Sequence, residues 1–153
     1  MSKYAIYQNK IYPVNPTGQV LRLKSTNQDN GFHVLTDLAG NKHDDIFIKE
    51  VSREDVELVY ELKINAIYKG REFETYGVDS STLEKNYILL FSMEYDDVND
   101  YGFTKHEQFV NQKEVALDDI EALVEIKKPI LKWKDQPVSR KTIPTNKILE
   151  YLS

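Results

Sequence analysis

The chain has 153 residues, 41% hydrophobic and 29% charged, with six Gly and five Pro, a composition that excludes a disordered or low-complexity protein. It has no cysteine, which excludes disulfides, thiolate metal sites and thiol nucleophiles and fits a reducing compartment. The net charge of −5 is uneven: 8 Lys+Arg against 9 Asp+Glu over residues 1–64, 7 against 14 over 65–128, and 5 against 2 over 129–153. An acidic middle argues against broad nucleic-acid binding, which needs cations over phosphates, and leaves room for a basic partner.

The opening residues MSKYAIYQNK lack the apolar run of a secretory signal, and no stretch approaches the roughly 18 apolar residues of a membrane helix. A cytoplasmic protein is expected. Ten Tyr and six Phe favour strands, because aromatic rings suit a pleated, half-buried surface. YAIYQNKIYPV places apolar blocks on either side of Gln8-Asn9, and Asn tolerates the positive φ of a tight hairpin. QVLRLKS sets Val20, Arg22 and Lys24 against Leu21 and Leu23, the alternation of a half-buried strand. In FHVLTDLAGNKHDDIFIKEV the apolar flanks around Ala39-Gly40-Asn41 predict a second hairpin. SREDVELVYELKI fits a helical stripe through Val56, Val59 and Tyr60, and equally a strand through Leu58, Tyr60, Leu62 and Ile64. Ser52 can cap a helix, and nothing breaks the chain after Lys63, so the reading is a short turn over Ser52–Glu57 followed by a strand running toward Ala66.

The chain then repeats itself. AIYQNKIY (Ala5–Tyr12) returns as AIYKGREF (Ala66–Phe73), with Lys69-Gly70 at the hairpin position. VLRLKS (Val20–Ser25) matches the more continuously apolar YILLFS (Tyr87–Ser92), and Gly31-Phe32 matches Gly102-Phe103. KEVSREDVELVYELK (Lys49–Lys63) matches KEVALDDIEALVEIK (Lys113–Lys127) with seven of fifteen positions identical. All four matches keep their order while the spacing drifts from 61 to 67 to 71 and back to 64, as loop insertions would make it. A tandem duplication is expected, with units over 1–64 and 65–128. In the second unit the helical turn is predicted at Leu117–Glu121, with a strand that Pro129 ends. A unit this small buries little surface alone, and no Gly/Ser/Pro linker separates the two, so Tyr60, Ile64 and Ile67 are expected to fill a junction.

Residues 129–153 form a C-terminal extension outside the repeat, with the only tryptophan, Trp133, between Lys132 and Lys134. Pro129, Pro137 and Pro144 predict extended chain, and TNKILEYLS a short closing helix capped by Thr145 or Asn146 that buries Ile148, Leu149 and Leu152. The extension either packs back on the units or serves as an arm for a partner.

The order hairpin, strand, strand, helical turn, last strand resembles a small bacterial SH3-like barrel. The expected fold is therefore mostly β: two tandem SH3-like barrels from an internal duplication, plus a short helix-containing tail. Ala5-Ile6-Tyr7 and Ala66-Ile67-Tyr68 echo the start of the Ala-Leu-Tyr-Asp-Tyr motif of peptide-binding SH3 domains, but the acidic loop, Trp pair and later Pro-Tyr signature are absent, so no ligand residues carry over. The alternative is a duplicated α+β unit with true helices at Arg53–Lys63 and Leu117–Lys127.

Catalytic signatures are missing: there is no GxGxxG, P-loop, HExxH, GxSxG or EF-hand loop. His33, His43 and His106 are scattered, with His43 and His106 in polar loops, and the pairs Asp44-Asp45, Asp96-Asp97 and Asp118-Asp119 read as capping and solubility residues. No metal or other cofactor is expected. The densest cluster is EYDDVNDYGF, where Glu94, Asp96, Asp97 and Asp100 interleave with Tyr95, Tyr101 and Phe103. Tyrosines among acids suit a basic protein surface, and the first unit has no such cluster at the matching place. The expected role is a non-enzymatic protein-binding module contacting a basic partner through Glu94, Tyr95, Asp96, Asp97, Asp100 and Tyr101. By size and charge it resembles immunity proteins, which cover a toxin's active face. The alternatives are a phage or mobile-element accessory protein, and a small hydrolase using carboxylates between the repeats.

Overall fold

The computed structural model describes residues 2–153 and is mostly β. The chain forms two compact units: the residues up to Leu62 together with Lys127–Val138, and Lys63–Ile126 together with Ser139–Ser153.

The first unit begins with β1 (Ser2–Tyr7), β2 (Lys10–Thr17) and β3 (Val20–Ser25). The first hairpin turns on Gln8 and Asn9, whose φ angles of 49° and 64° are both positive, the geometry whose twist matches that of the flanking strands. β4 (His33–Thr36) and β5 (Lys42–Ser52) follow, then a single 3-10 turn at Arg53–Asp55 and β6 (Leu58–Tyr68). The strands are antiparallel in the order β4-β5-β3-β2-β1-β6. Strand alternation sends one residue in two inward. Ala5, Tyr7, Tyr12, Leu21, Leu23, Val51, Val56 and Val59 thereby make one core, with Phe32 laid over it from the loop before β4.

The second unit repeats the order. β6 enters it at Lys63 and pairs with β7 (Arg71–Tyr76) through a turn at Lys69 (φ 49°) and Gly70 (φ 78°). β8 (Tyr87–Ser92), β9 (Thr104–Glu107) and β10 (Val110–Ala116) follow, then a 3-10 turn at Leu117–Asp119 and β11 (Ala122–Pro129). The sheet order is β6-β7-β8-β10-β9, and β11 pairs with β6. Burial matches position by position: Ala66, Tyr68, Phe73, Ile88, Leu90, Phe103, Val115, Ile120 and Leu123 stand in this core where their nine counterparts stand in the other. Two short helices are additions: α1 (Ser81–Lys85) before β8 and α2 (Asp97–Asp100) after it.

The segments read alternatively as helices are strands. At Arg53–Lys63 only one turn is helical. The Ser52 backbone N–H and hydroxyl both donate to the Asp55 carboxylate, at 3.3 and 3.2 Å, and Val56 is already extended (φ −105°, ψ 150°). The second copy turns extended in the same way at Ile120 (φ −83°, ψ 123°). What decides is that Val59, and likewise Leu123, must face the core with no exposure at all.

The last residues divide between the units. A 3-10 turn at Leu131–Trp133 buries Trp133 in the first core. β12 (Ser139–Pro144) pairs with β11, and a 3-10 turn at Thr145–Lys147 leads into α3 (Ile148–Leu152), so that Ile143, Ile148 and Leu152 complete the second core. Two expectations need correction. Leu149 is 63% exposed, because it lies on the outer side of the short helix. Thr145 does not cap that helix; its hydroxyl donates to the carbonyls of Ile120 and Glu121 and ties the tail to the end of the 3-10 turn. Among the described residues no helix is long and apolar enough to cross a membrane.

Trp133 is the plug of the first core, so Trp133→Ala is expected to cost about 3–5 kcal/mol, measured by urea unfolding followed by far-UV circular dichroism. A loss within about 0.5 kcal/mol, the range of an ordinary surface change, would show that the tail does not belong to that core.

Candidate protein-binding surface

The acidic loop between β8 and β9 is anchored by its own sequence. Ser92 is buried at the end of β8, where its hydroxyl accepts the Glu94 N–H at 3.0 Å and donates to the Asp97 carboxylate. The Asn111 side chain, also buried, donates to the Glu94 carbonyl at 3.0 Å. α2 then closes on Asp97, whose carbonyl accepts from Tyr101 N–H at 3.1 Å and Phe103 N–H at 3.2 Å.

Asp97 itself is 1% exposed. Its carboxylate accepts from the Arg71 guanidinium, which lies 4.8 Å over the Phe73 ring and 5.4 Å over that of Tyr101. Hydrogen bonding to Asp97 holds the Arg71 guanidinium above its ordinary pKa. Tyr101 is half-buried and meets Phe73 edge-on at 5.1 Å. Two of the six residues expected to face a partner are therefore committed to the fold: Asp97 fully, Tyr101 in large part. A buried charge needs a partner and hydrogen bonds, and Arg71 and Ser92 supply them.

The other four point outward. Glu94, Asp96 and Asp100 are exposed and make no ion pair among the described residues, and Tyr95 is 84% exposed. Met93, next to Glu94, is 71% exposed. On the outer face of the same sheet Tyr76, 71% exposed, meets Phe91 at 5.8 Å. The loop, pinned by Ser92 and Asn111, thus exposes carboxylates next in sequence to Met93 and Tyr95.

The first unit carries the same anchor in simpler form. Asp29 holds Lys10 at 3.6 Å and accepts the Tyr12 hydroxyl at 2.7 Å, while its carbonyl accepts Phe32 N–H at 2.9 Å as that of Asp97 accepts Phe103 N–H. Lys10 and Tyr12 pair in sequence with Arg71 and Phe73, but Asp29 lies outside every repeated segment, so the sequence repeat carries no signal of its correspondence to Asp97. Burial, then the hydrogen bond to Asp29, pushes the Tyr12 phenol up to about 12.

The remaining polar pairs are local. His43 lies 3.1 Å from Asp37, whose carboxylate is held below its usual range chiefly by the Asn41 N–H and also by His43, closing the β4–β5 turn. Asp44, Asp45, Asp118 and Asp119 are exposed, and no group of three metal-ligating side chains comes together among the described residues.

A family model described as "Uncharacterised conserved protein UCP033725" matches residues 1–132, and the chain belongs to that family. No curated protein and no solved structure matches it.

Arg71→Met leaves Asp97 buried and unpaired, and is expected to cost roughly 1.5–3 kcal/mol by chemical denaturation; an unchanged midpoint would mean that Asp97 is not held as described. Tyr12 gives a pH signature. Its folded pKa lies above its ordinary value of 10, so its contribution to stability is fully present below pH 10 and is lost as pH rises toward about 12. Phenolate absorbance should show one tyrosine titrating late, absent in Tyr12→Phe; a late step that survives in the variant would belong to another tyrosine.

Proposed function

We propose that this family member is a non-enzymatic protein-binding module whose acidic loop grips a basic protein partner. The observation that carries the reading is Tyr95, 84% exposed, amid the unpaired carboxylates of Glu94, Asp96 and Asp100 on a loop pinned by buried Ser92, Asp97 and Asn111. Holding such groups in place beforehand lowers the entropy lost on binding. An exposed tyrosine supplies contact area and the carboxylates supply steering and register. Charge supports the same side: the second unit carries 9 Lys+Arg against 15 Asp+Glu, a net of −6, whereas the first carries 11 against 10.

In this reading the protein is cytoplasmic, and its units are a duplicated small β fold that resembles SH3-like barrels in element order. The immunity-type role, covering the active face of a basic toxin, follows from size and charge by analogy alone.

The test is capture of a partner on the immobilised protein. Glu94→Gln/Asp96→Asn/Asp100→Asn, and separately Tyr95→Ala, are expected to weaken capture of one basic protein at least tenfold, with binding that falls as salt rises. Both variants leave Ser92, Asp97 and Asn111 untouched, so the fold should be unchanged by circular dichroism. A partner held equally by both variants, or no basic partner at all, would overturn the assignment.

A further inference from the structure

The first unit has a pocket of about 290 Å³ on the outer face of its sheet, away from the core. It is lined by Pro13 and Asn15 of β2, Arg22 and Lys24 of β3, Leu35 of β4 and Ile48 of β5. Register puts these side chains together. Asn15 stands opposite Arg22, and Lys24 opposite Ile48, so the two cations and the isoleucine share one face.

Three features of this pocket ask for a ligand. Arg22 is half-buried, and its Nε is closed off from solvent with no acceptor from the protein. An unsatisfied buried donor on a charged group is costly, so native folds rarely leave one without a use. Neither Arg22 nor Lys24 makes an ion pair among the described residues, although Glu50 is the cross-strand neighbour of Arg22. Ile48 is only 7% exposed yet is not a member of the unit's core, so it forms the floor of a separate apolar site together with Leu35.

The repeat adds a control within the molecule. Leu89 and Phe91 of the second unit occupy the strand positions of Arg22 and Lys24. The fold is therefore built at these places with apolar residues, and two adjacent cations on one face of a strand are not something it requires. Like charges on neighbouring same-face positions repel one another, and an anion between them removes that cost.

We propose that this pocket binds a small organic carboxylate with an apolar body. Arg22 and Lys24 would hold the carboxylate, Asn15 would donate or accept at its edge, and Pro13, Leu35 and Ile48 would cover the apolar part. The size suits the lower end of small-molecule sites, where an apolar wall and a few polar groups fix the ligand. No residue of the acidic loop lines it.

The experiment is an amide NMR titration of the full chain with phenylacetate, with phenethylamine as the same body carrying the opposite charge and acetate as the charge without the body. Saturable shifts at Asn15, Arg22, Leu35 and Ile48 are expected with phenylacetate alone. Arg22→Gln should weaken binding at least tenfold, and Lys24→Gln several-fold. Arg22→Leu/Lys24→Phe, which installs the residues of the second unit, should fold and abolish the shifts. The proposal is overturned if phenylacetate gives no saturable shift, if phenethylamine or acetate gives the same one, or if the Leu/Phe variant still binds.

Discussion

Each unit is closed by the same two hydrogen bonds from one glutamate. After the 3-10 turn, Glu57 donates its backbone N–H to the Ile6 carbonyl at 2.8 Å, and its carboxylate accepts the Asn9 N–H at 3.2 Å. Glu121 does the same to Ile67 and Gly70, at 2.8 and 2.6 Å. The turn residues have positive φ, and the N–H groups they direct outward need an acceptor. By supplying it, the glutamate joins the start of the last strand to the first hairpin, which lets β6 pair with β1 and β11 with β6. The rest of each core depends on that closure, since Val56 and Val59, like Ile120 and Leu123, are buried only once the last strand is in place.

Closure alone leaves each unit short of apolar cover, as small domains are. The chain answers with its last residues, giving Trp133 to one core and Ile143, Ile148 and Leu152 to the other. Pro129, Pro137 and Pro144 and the two 3-10 turns of this stretch suit a segment that must be placed residue by residue rather than as one long helix. The lysines that flank Trp133 remain exposed, with Lys132 Nζ 4.9 Å above the indole, so a tryptophan between two charges can still be a core residue.

The two copies differ most where the common scaffold leaves freedom. One aspartate per unit, Asp29 or Asp97, is tied to a cation on the second strand of the preceding hairpin and to the backbone of a core phenylalanine. Around Asp97 the loop has gained a helical turn, exposed carboxylates and Tyr95; around Asp29 the phenol of Tyr12 does part of the work that Arg71 does in the other copy. On the outer sheet face the difference is reversed in kind, with Arg22 and Lys24 in the first copy and Leu89 and Phe91 in the second. Positions that face the cores hardly vary in burial, because packing constrains them; the outer positions vary in charge, because core packing does not reach those.

How much was legible follows the same division. Alternation in QVLRLKS, the Gln8-Asn9 and Lys69-Gly70 turns, and the Ser52 cap were readable because each depends on residues near in sequence. So was the mostly-β class. The sequence by itself determined those strands and turns, along with the acidic character of the loop after β8. Only the tertiary structure decided that β3 pairs with β5, that the tail is divided between two cores, and that Asp97 turns inward to Arg71 while Asp96 and Asp100 do not. Adjacent aspartates have the same local chemistry, and what separates them is a guanidinium 26 residues away in the chain, brought there by the pairing of β7 with β8. Strand order, core membership and the fate of a single carboxylate all depend on contacts between distant residues, which local pattern does not encode.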